Sequence, residues 1–402
     1  SLGASLPAGH YSDHCGAVAE KIAARVAAST RFEELVVIGT NTERGRITVS
    51  AKPALIKAAK AKRIIADAHD VTVGKTLVGW VKKLTSFGAF ISFPGSVSAL
   101  APLELLSDRY VSLPEDLLQP DQTVVAHVVS VDESVDGGKI RVSLQRSVAD
   151  VAATECLDPK DFLLDYFREL EGPAGSAAFN DIGRQTTVTV KQKHPYGVLV
   201  TPAPTEAVSA NASGFVTADQ AKEQIDKCKA GAVLAACILD VDPEKDIVDF
   251  SLRSALASSK KPKKAKSQKA VELAVRKKKE TSVVVEIVKE DYLVLSMPEF
   301  DHAIAFAMTK TYNDCSKPFM RFKVGQRLSG TPVRAEANKR TLVMLRPEPE
   351  APSKKAADNK RPVKQPVDSA ISFFEDYQPG LATRAKVMSI KGSQANLNLA
   401  AN

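Results

Sequence analysis

One short pattern recurs four times along this chain, and it limits the fold more than any other feature. GRITVSAKPAL reaches Ser50, GKIRVSLQRSV reaches Ser143, DIVDFSLRSAL reaches Ser251 and KRTLVMLRPEP reaches Met344, at spacings of 93, 108 and 93 residues. In each, apolar residues alternate and a basic residue follows, the mark of a strand with one buried face. A second alternating run precedes each one: Glu34 to Gly39, Thr123 to Val131, Val233 to Val241, and Gln326 to Val333. Turn-forming residues such as Asn41 to Gly45 and Asp136-Gly137-Gly138 divide the runs, so the recurring unit is a hairpin. A hairpin repeated at this period predicts an array of small domains.

The second unit is complete. Thr76 to Leu84 alternates, Phe87 to Phe93 follows a two-residue turn, Ser98 to Leu103 makes a third short strand, and a proline-containing connection over 104–121 leads to the hairpin. Five short strands within a single unit fit an OB-type barrel, whose closure removes exposed sheet edges. Gly79 and Gly88 suit the sharp coiling that so small a barrel demands. The expectation is therefore all-β: tandem five-stranded OB-fold barrels joined by short helices and basic linkers. The divisions are a partial barrel over 1–53, a complete one over 74–148, a connecting helix over 155–175, a barrel over 184–257, a basic linker over 258–279, a diverged barrel over 280–347, a second basic linker over 348–370 and the start of a further barrel over 379–402. The chain is expected to begin and end inside a barrel.

Charge is unevenly placed. The net charge is +8, yet residues 260–279 carry +9 and residues 353–366 carry +4, which leaves −5 for everything else. Even the complete barrel over 74–148 has seven basic and eight acidic residues, so any anion-binding face must come from local placement. KKPKKAK (260–266) and RKKK (276–279) fit a nucleic-acid or nuclear-localisation patch as well as a solvated linker. No apolar run approaches the length of a membrane span. The five cysteines are scattered and never in CxxC spacing, which predicts reduced thiols, with Cys228 and Cys237 as apolar filler. His10, His14 and Cys15 lie close in sequence but lack a fourth ligand for zinc. Gly74-Lys75-Thr76 resembles the end of a P-loop, but His69 stands where its first glycine belongs. No nucleophile–base order or carboxylate pair argues for an enzyme.

VGKTLVGWVKKLTSFGAFISF, then ALAPLELLSD, VVAHVVSVD and GGKIRVSL, resembles an S1 RNA-binding domain almost strand for strand. IGRQTTVTVKQKHPYGVLVTP, SGFVTADQ, AACILDVD and DIVDFSLRSAL repeat it, and TSVVVEIVKEDYLVLSM with RTLVMLRP is a weaker copy. The array, its basic linkers, LDVDPEKDIVDFSLR (239–253) and the aromatic helices FLLDYFRELEG (162–172) and ISFFEDYQPG (371–380) resemble the eukaryotic ribosomal RNA processing protein five family. That resemblance implies a nucleolar assembly factor whose partners are single-stranded precursor ribosomal RNA and other ribosome assembly factors. It implies no cofactor, no small-molecule substrate and no membrane. The rival expectations are an RNA-presenting arm of a translation factor or ribonuclease, and a protein-interaction array that has lost RNA binding.

S1 barrels stack bases on aromatics and follow the backbone with basic side chains. Val81 and Leu84 fit core positions, which sends Trp80 and Lys82 outward, and Lys139 and Arg141 lie on the last strand. The resemblance places Phe87 and Phe90 near the binding face, with Tyr196 the counterpart in the third unit. Its third-strand histidine survives only in His10-Tyr11-Ser12, with Pro102, Thr217 and Met308 at the equivalent places. RNA contact is thus expected from Trp80, Lys82, Phe87, Phe90, Lys139, Arg141, His10 and Tyr196, with units three and four turned toward protein docking. In the connecting helix, Leu163, Tyr166, Phe167 and Leu170 share a face that is expected to pack on a neighbouring barrel.

Overall fold

The computed structural model describes residues 3–346 except 28–29, 44, 66, 133–138, 146–156, 158, 172–180, 204–211, 243–244, 258–263 and 334–339, together with 386–391 and 394–398. Residues up to Pro347 form one compact unit and Glu348–Asn402 another. In the first unit a three-stranded sheet is followed by three closed barrels. The sheet comprises β1 (Gly3–Ser5), β2 (Val36–Asn41) and β3 (Arg46–Ser50), with helices α1 (Ala17–Arg25) and α2 (Pro53–Lys60) around it. Its parallel β1–β3 pairing and antiparallel β2–β3 pairing have the same sense as those among the last three strands of each closed barrel.

The second repeat runs through β4 (Thr76–Thr85), β5 (Gly88–Ser92), β6 (Ser98–Pro102), β7 (Thr123–Asp132) and β8 (Lys139–Ser143), closed in the order β4-β5-β6-β8-β7. Helix α3 (Pro159–Glu171) follows. The third barrel uses β9 (Gln185–His194), β10 (Gly197–Pro202), β11 (Ser213–Thr217), β12 (Val233–Asp242) and β13 (Ile247–Ser251), with short helices α4 (Ala218–Ala221) and α5 (Ser254–Ala257). Helix α6 (Lys264–Arg276) precedes the fourth barrel: β14 (Thr281–Val288), β15 (Tyr292–Met297), β16 (Ala303–Met308), β17 (Arg327–Val333) and β18 (Leu342–Leu345). The second unit contributes the hairpin β19 (Lys386–Lys391) and β20 (Gln394–Asn398). The linker over 348–370 and the aromatic stretch 371–380 lie outside the described residues.

Alternation explains each barrel interior. In the second, Leu77, Val81, Ala89, Ile91, Val124, Val128, Ile140 and Val142 form one buried cluster. Gly79 permits the strand crossing, because a Cβ there would meet the Ser92 carbonyl oxygen at 2.5 Å and the Phe93 ring at 2.7 Å. Barrels of this size bury only about 60% of their unfolded surface, and here part of the shortfall is met by burying portions of their outer faces against neighbouring elements.

Helix α3 is the centre of that packing. Phe162, Leu163, Tyr166 and Phe167 are all buried, which bears out the expected interdomain face; the Leu170 side chain lies outside the described residues. Toward the first sheet, Phe162 meets His14 with ring centroids 4.4 Å apart, and Asp165 bonds His14 Nε2 at 3.0 Å. Toward the fourth barrel, Phe167 packs on Tyr292 and Phe306, and the Arg340 guanidinium lies 4.6 Å from the Phe306 ring. The loop between β16 and β17 reaches the second barrel: Asn313 Oδ1 accepts from Val125 N at 2.8 Å, while its Nδ2 donates to the carbonyls of Val125 and Leu144.

Two expectations change. Cys15 and Cys315 are joined in a disulfide across 300 residues, not held as thiols. Tertiary packing of the first sheet on the fourth barrel brings them together, and no local spacing motif could signal it. Cys228 and Cys237 are buried thiols, as expected. The stretch 258–279 is not simply a linker, for Val271 and Ala274 of α6 enter the fourth barrel's core beside Phe300 and Phe322. Among the described residues no helix is long and apolar enough to cross a membrane.

Phe167→Ala removes a fully buried ring from the centre of this assembly. Burial of that kind predicts a loss of about 3–5 kcal/mol, readable as a lowered urea midpoint. A loss below about 1 kcal/mol would show that α3 is peripheral.

Candidate nucleic-acid interface

Strand register shows which side chains share the outer face of the second barrel. A bulge between Val81 and Lys83 makes Lys82 the extra residue and pairs Lys83 with Phe90. Phe90 pairs with Leu100, and Leu100 with Arg141 on the last strand. Lys83, Phe90, Leu100 and Arg141 therefore form one row across four strands, with Lys139 two residues from Arg141. Phe87, 56% exposed in the β4–β5 turn, meets Phe90 edge to face at 6.1 Å. Lys82, Lys83, Lys139 and Arg141 are all exposed. Simple alternation misses Lys83; only the bulge turns it outward.

Trp80 is outward too, but not open. It pairs with Ser92 and Thr123 at the other end of the face, half-buried beside Ile38, Ala54, Leu55, Val78 and Val125. His10 closes over it, edge to face at 4.8 Å, and is itself buried, with Nδ1 3.0 Å from Ser50 Oγ. Both expected RNA contacts are therefore corrected: the first sheet's apolar surface covers Trp80, and His10 is part of that cover. Burial, with a smaller effect from the nearby Lys52 charge, pushes the His10 pKa down to about 4. Lys52 is buried at the same joint, donating to the carbonyls of Ser12 and Asp121 at 2.7 Å each and to Thr123 Oγ1 at 3.1 Å. Desolvation brings its pKa to about 8 despite the opposing charges of Asp13 and Asp121. Asp13 accepts from Ala54 N and Thr123 Oγ1, both at 2.7 Å, which fixes the start of α2 against the barrel.

In the third barrel Tyr196 is 65% exposed and stacks on His194 at 5.1 Å with planes 10° apart. Phe215 lies 6.1 Å away. The β10–β11 pairing of Leu199 with Phe215 gives Phe215 the position that Leu100 has in the second barrel. The aromatic surface expected to be lost here is thus rebuilt from other residues, beside exposed Lys191, Gln192 and Lys193. An aromatic on a short third strand was the available signal. The far end of this face differs: Asp249 takes the place of Arg141, and Asp240 that of Ser130. Both are buried against the fourth barrel, where Lys289 pairs with Asp249, Arg340 with Asp240 at 3.4 Å, and Tyr292 donates to Asp240 at 2.5 Å. Burial works against the Lys289 ammonium, yet Asp249 and Asp240 hold its pKa above the usual lysine value.

The fourth barrel has no open counterpart. Ile287, Val294, Phe306 and Leu342 take the places of Lys83, Phe90, Leu100 and Arg141, and all four are buried with Phe167, Leu239 and Leu256. Glu286, the extra residue of this barrel's bulge, is buried among Arg253 Nη1 at 2.7 Å, Gln220 Nε2 at 2.9 Å and Ser296 Oγ at 2.6 Å. This outer row is covered within the chain, by α3 and the third barrel. Among the described residues no group of three His, Cys, Asp or Glu could hold a metal. His10, His14 and Cys15 are each engaged otherwise: with Ser50, Asp165 and Cys315.

Closed five-stranded barrels in tandem, with basic and aromatic side chains on the open outer face, define an array of S1-type OB folds. Residues 71–142 match the family model described as RRP5 S1 domain, and residues 259–347 the one described as RRP5 OB-fold domain. The human protein named "Protein RRP5 homolog" is 27% identical over 343 residues, covering 82% of this chain and 17% of that protein. "rRNA biogenesis protein RRP5" of Arabidopsis thaliana is 26% identical, covering 80% and 17%. "rRNA biogenesis protein rrp5" of Schizosaccharomyces pombe is 32% identical over 114 residues, covering 28% and 7%. The chain is an S1-repeat protein resembling the ribosomal RNA processing protein five family, and it spans 17% of the length of its human and Arabidopsis relatives.

The buried histidine makes a pH test of the joint between the first sheet and the second barrel. Its folded pKa lies below the ordinary 6.5, so the unfolded chain binds the extra proton between these values. Its contribution to stability is then complete above about pH 6.5 and lost as pH falls toward 4. His10→Gln should flatten the stability profile in that window relative to wild type, measured by urea denaturation at several pH values. Parallel profiles would mean that His10 titrates normally.

Proposed function

We propose that this chain is an RNA-binding scaffold in ribosome biogenesis, holding single-stranded precursor ribosomal RNA together with assembly factors in the nucleolus. One observation carries the reading: the row Lys83, Phe90, Leu100 and Arg141, with Phe87 beside it, stays open on the barrel that matches the RRP5 S1 model. Aromatics offer faces for bases, and the flanking cations meet the phosphates. Tyr196, His194 and Phe215 offer a second platform in the same compact unit. Two weak sites on one body raise each other's effective concentration, so a strand that reaches both binds more tightly than either site alone provides. The names of the relatives, as rRNA biogenesis proteins, support the cellular role. The role proposed is binding and positioning; no reaction is assigned to these residues.

Phe87→Ala and Tyr196→Ala each remove an exposed ring and leave the cores intact. Stacking on such a ring is worth roughly 1–3 kcal/mol per base, so each variant should weaken single-stranded RNA binding from about fivefold to a hundredfold in a fluorescence anisotropy titration. Trp80→Ala should instead lower the unfolding midpoint. Wild-type affinity in both ring variants would move RNA binding off these barrels.

A further inference from the structure

Among the described residues four aromatic side chains are largely exposed: Phe87, Tyr110, Tyr196 and Phe319. Phe87 and Tyr196 belong to the barrel faces above. Tyr110, 88% exposed, and Phe319, 62% exposed, do not; they sit on the connections between the third and fourth strands of the second and fourth barrels.

Those connections share a local design. Leu118 N donates to the Pro114 carbonyl and Phe322 N to that of Pro318, while Gln122 and Gln326 each accept from a backbone N–H three residues back. Matched through these bonds, Phe319 stands where the second barrel has Glu115, Arg321 where it has Leu117, and Lys323 where it has Gln119. The barrel whose outer face is buried thus presents in this loop an aromatic and two cations that its sibling lacks. The two connections also meet. Arg109 and Arg321 both pair with Asp314, so one carboxylate ties the two connections together. Lys317 lies 5.9 Å from the Phe319 ring centre, with Glu290 at 3.2 Å from its ammonium. Tyr110 adjoins Arg109, and Phe319 is two residues from Arg321.

The geometry points to this junction as a second contact for single-stranded RNA, apart from the outer faces of the barrels. Bases stack on Tyr110 and Phe319, while Lys317, Arg321 and Lys323 meet the phosphates. Exposed rings interleaved with cations suit an unpaired strand, whose bases are free to splay; they favour RNA over a protein partner, which would seek a continuous apolar patch. An RNA strand leaving the second barrel's face would then be held again at the junction with the fourth.

The test is ultraviolet crosslinking of the whole chain to a uridine-rich single-stranded oligonucleotide, with crosslinked residues located by mass spectrometry. Crosslinks at Tyr110 or Phe319 are expected. Crosslinks confined to Phe87 and Tyr196 would overturn this inference and leave the barrel-face reading standing; crosslinks at none of the four would overturn both. As a second measurement, the Tyr110→Ala/Phe319→Ala double variant removes only exposed rings. It should bind the same oligonucleotide at least about fivefold more weakly, with an unchanged unfolding midpoint. Binding within twofold of wild type would also overturn the inference.

Discussion

Phe306 is the residue around which the first unit is organised. It stands in the outer row of the fourth barrel, where a free S1-type barrel would face solvent, and it is fully buried. Phe167 packs on one side and the Arg340 guanidinium on another, and Arg340 in turn pairs with Asp240 of the third barrel. A buried cation between aromatic faces and a buried carboxylate is tolerable only when all its partners are present. The helix, the third barrel and the fourth barrel therefore depend on one another's positions. Removing any one exposes an apolar sheet face or leaves a charge without its partner.

Role is assigned within this repeat by a few positions of one register. The bulge residue of the first strand is Lys82 in the second barrel, Lys191 in the third and Glu286 in the fourth. The last strand contributes Arg141, Asp249 and Leu342 in the same order. Cationic, the row stays wet. Acidic, it is useful only against a basic neighbour, which Lys289 supplies. Apolar, it must be covered. The backbone geometry hardly changes, so divergence of function needs only a change in what the outer row can bear in water.

Much of this was legible from residues alone. Alternation and turns located all three barrels, and the helical period of Leu163, Tyr166 and Phe167 announced a buried face. What escaped was tertiary. Trp80 and Phe90 look alike in sequence, both outward on neighbouring strands, and only the docking of His10 and α2 tells them apart. Lys83 was hidden by a bulge, since one inserted residue shifts the count of inward and outward positions. Phe215 was overlooked because the counterpart of Phe90 was sought on the second strand, whereas its replacement sits on the third. The Cys15–Cys315 link could not be read at all, because a pairing across 300 residues exists only once the partial sheet and the fourth barrel have met.

The side chain of Asn313 acts as a one-residue strand where β7 and β8 diverge, giving two hydrogen bonds and receiving one. That pattern needs an amide: two carbonyl oxygens and one N–H face it, and only a group with both a donor end and an acceptor end answers all three. Conversion to a carboxylate would turn oxygen lone pairs toward the Val125 and Leu144 carbonyls, replacing two attractions with two repulsions in a half-buried seam. An aspartate at position 313 would therefore loosen the joint between the second and fourth barrels while leaving the barrels' own interiors untouched.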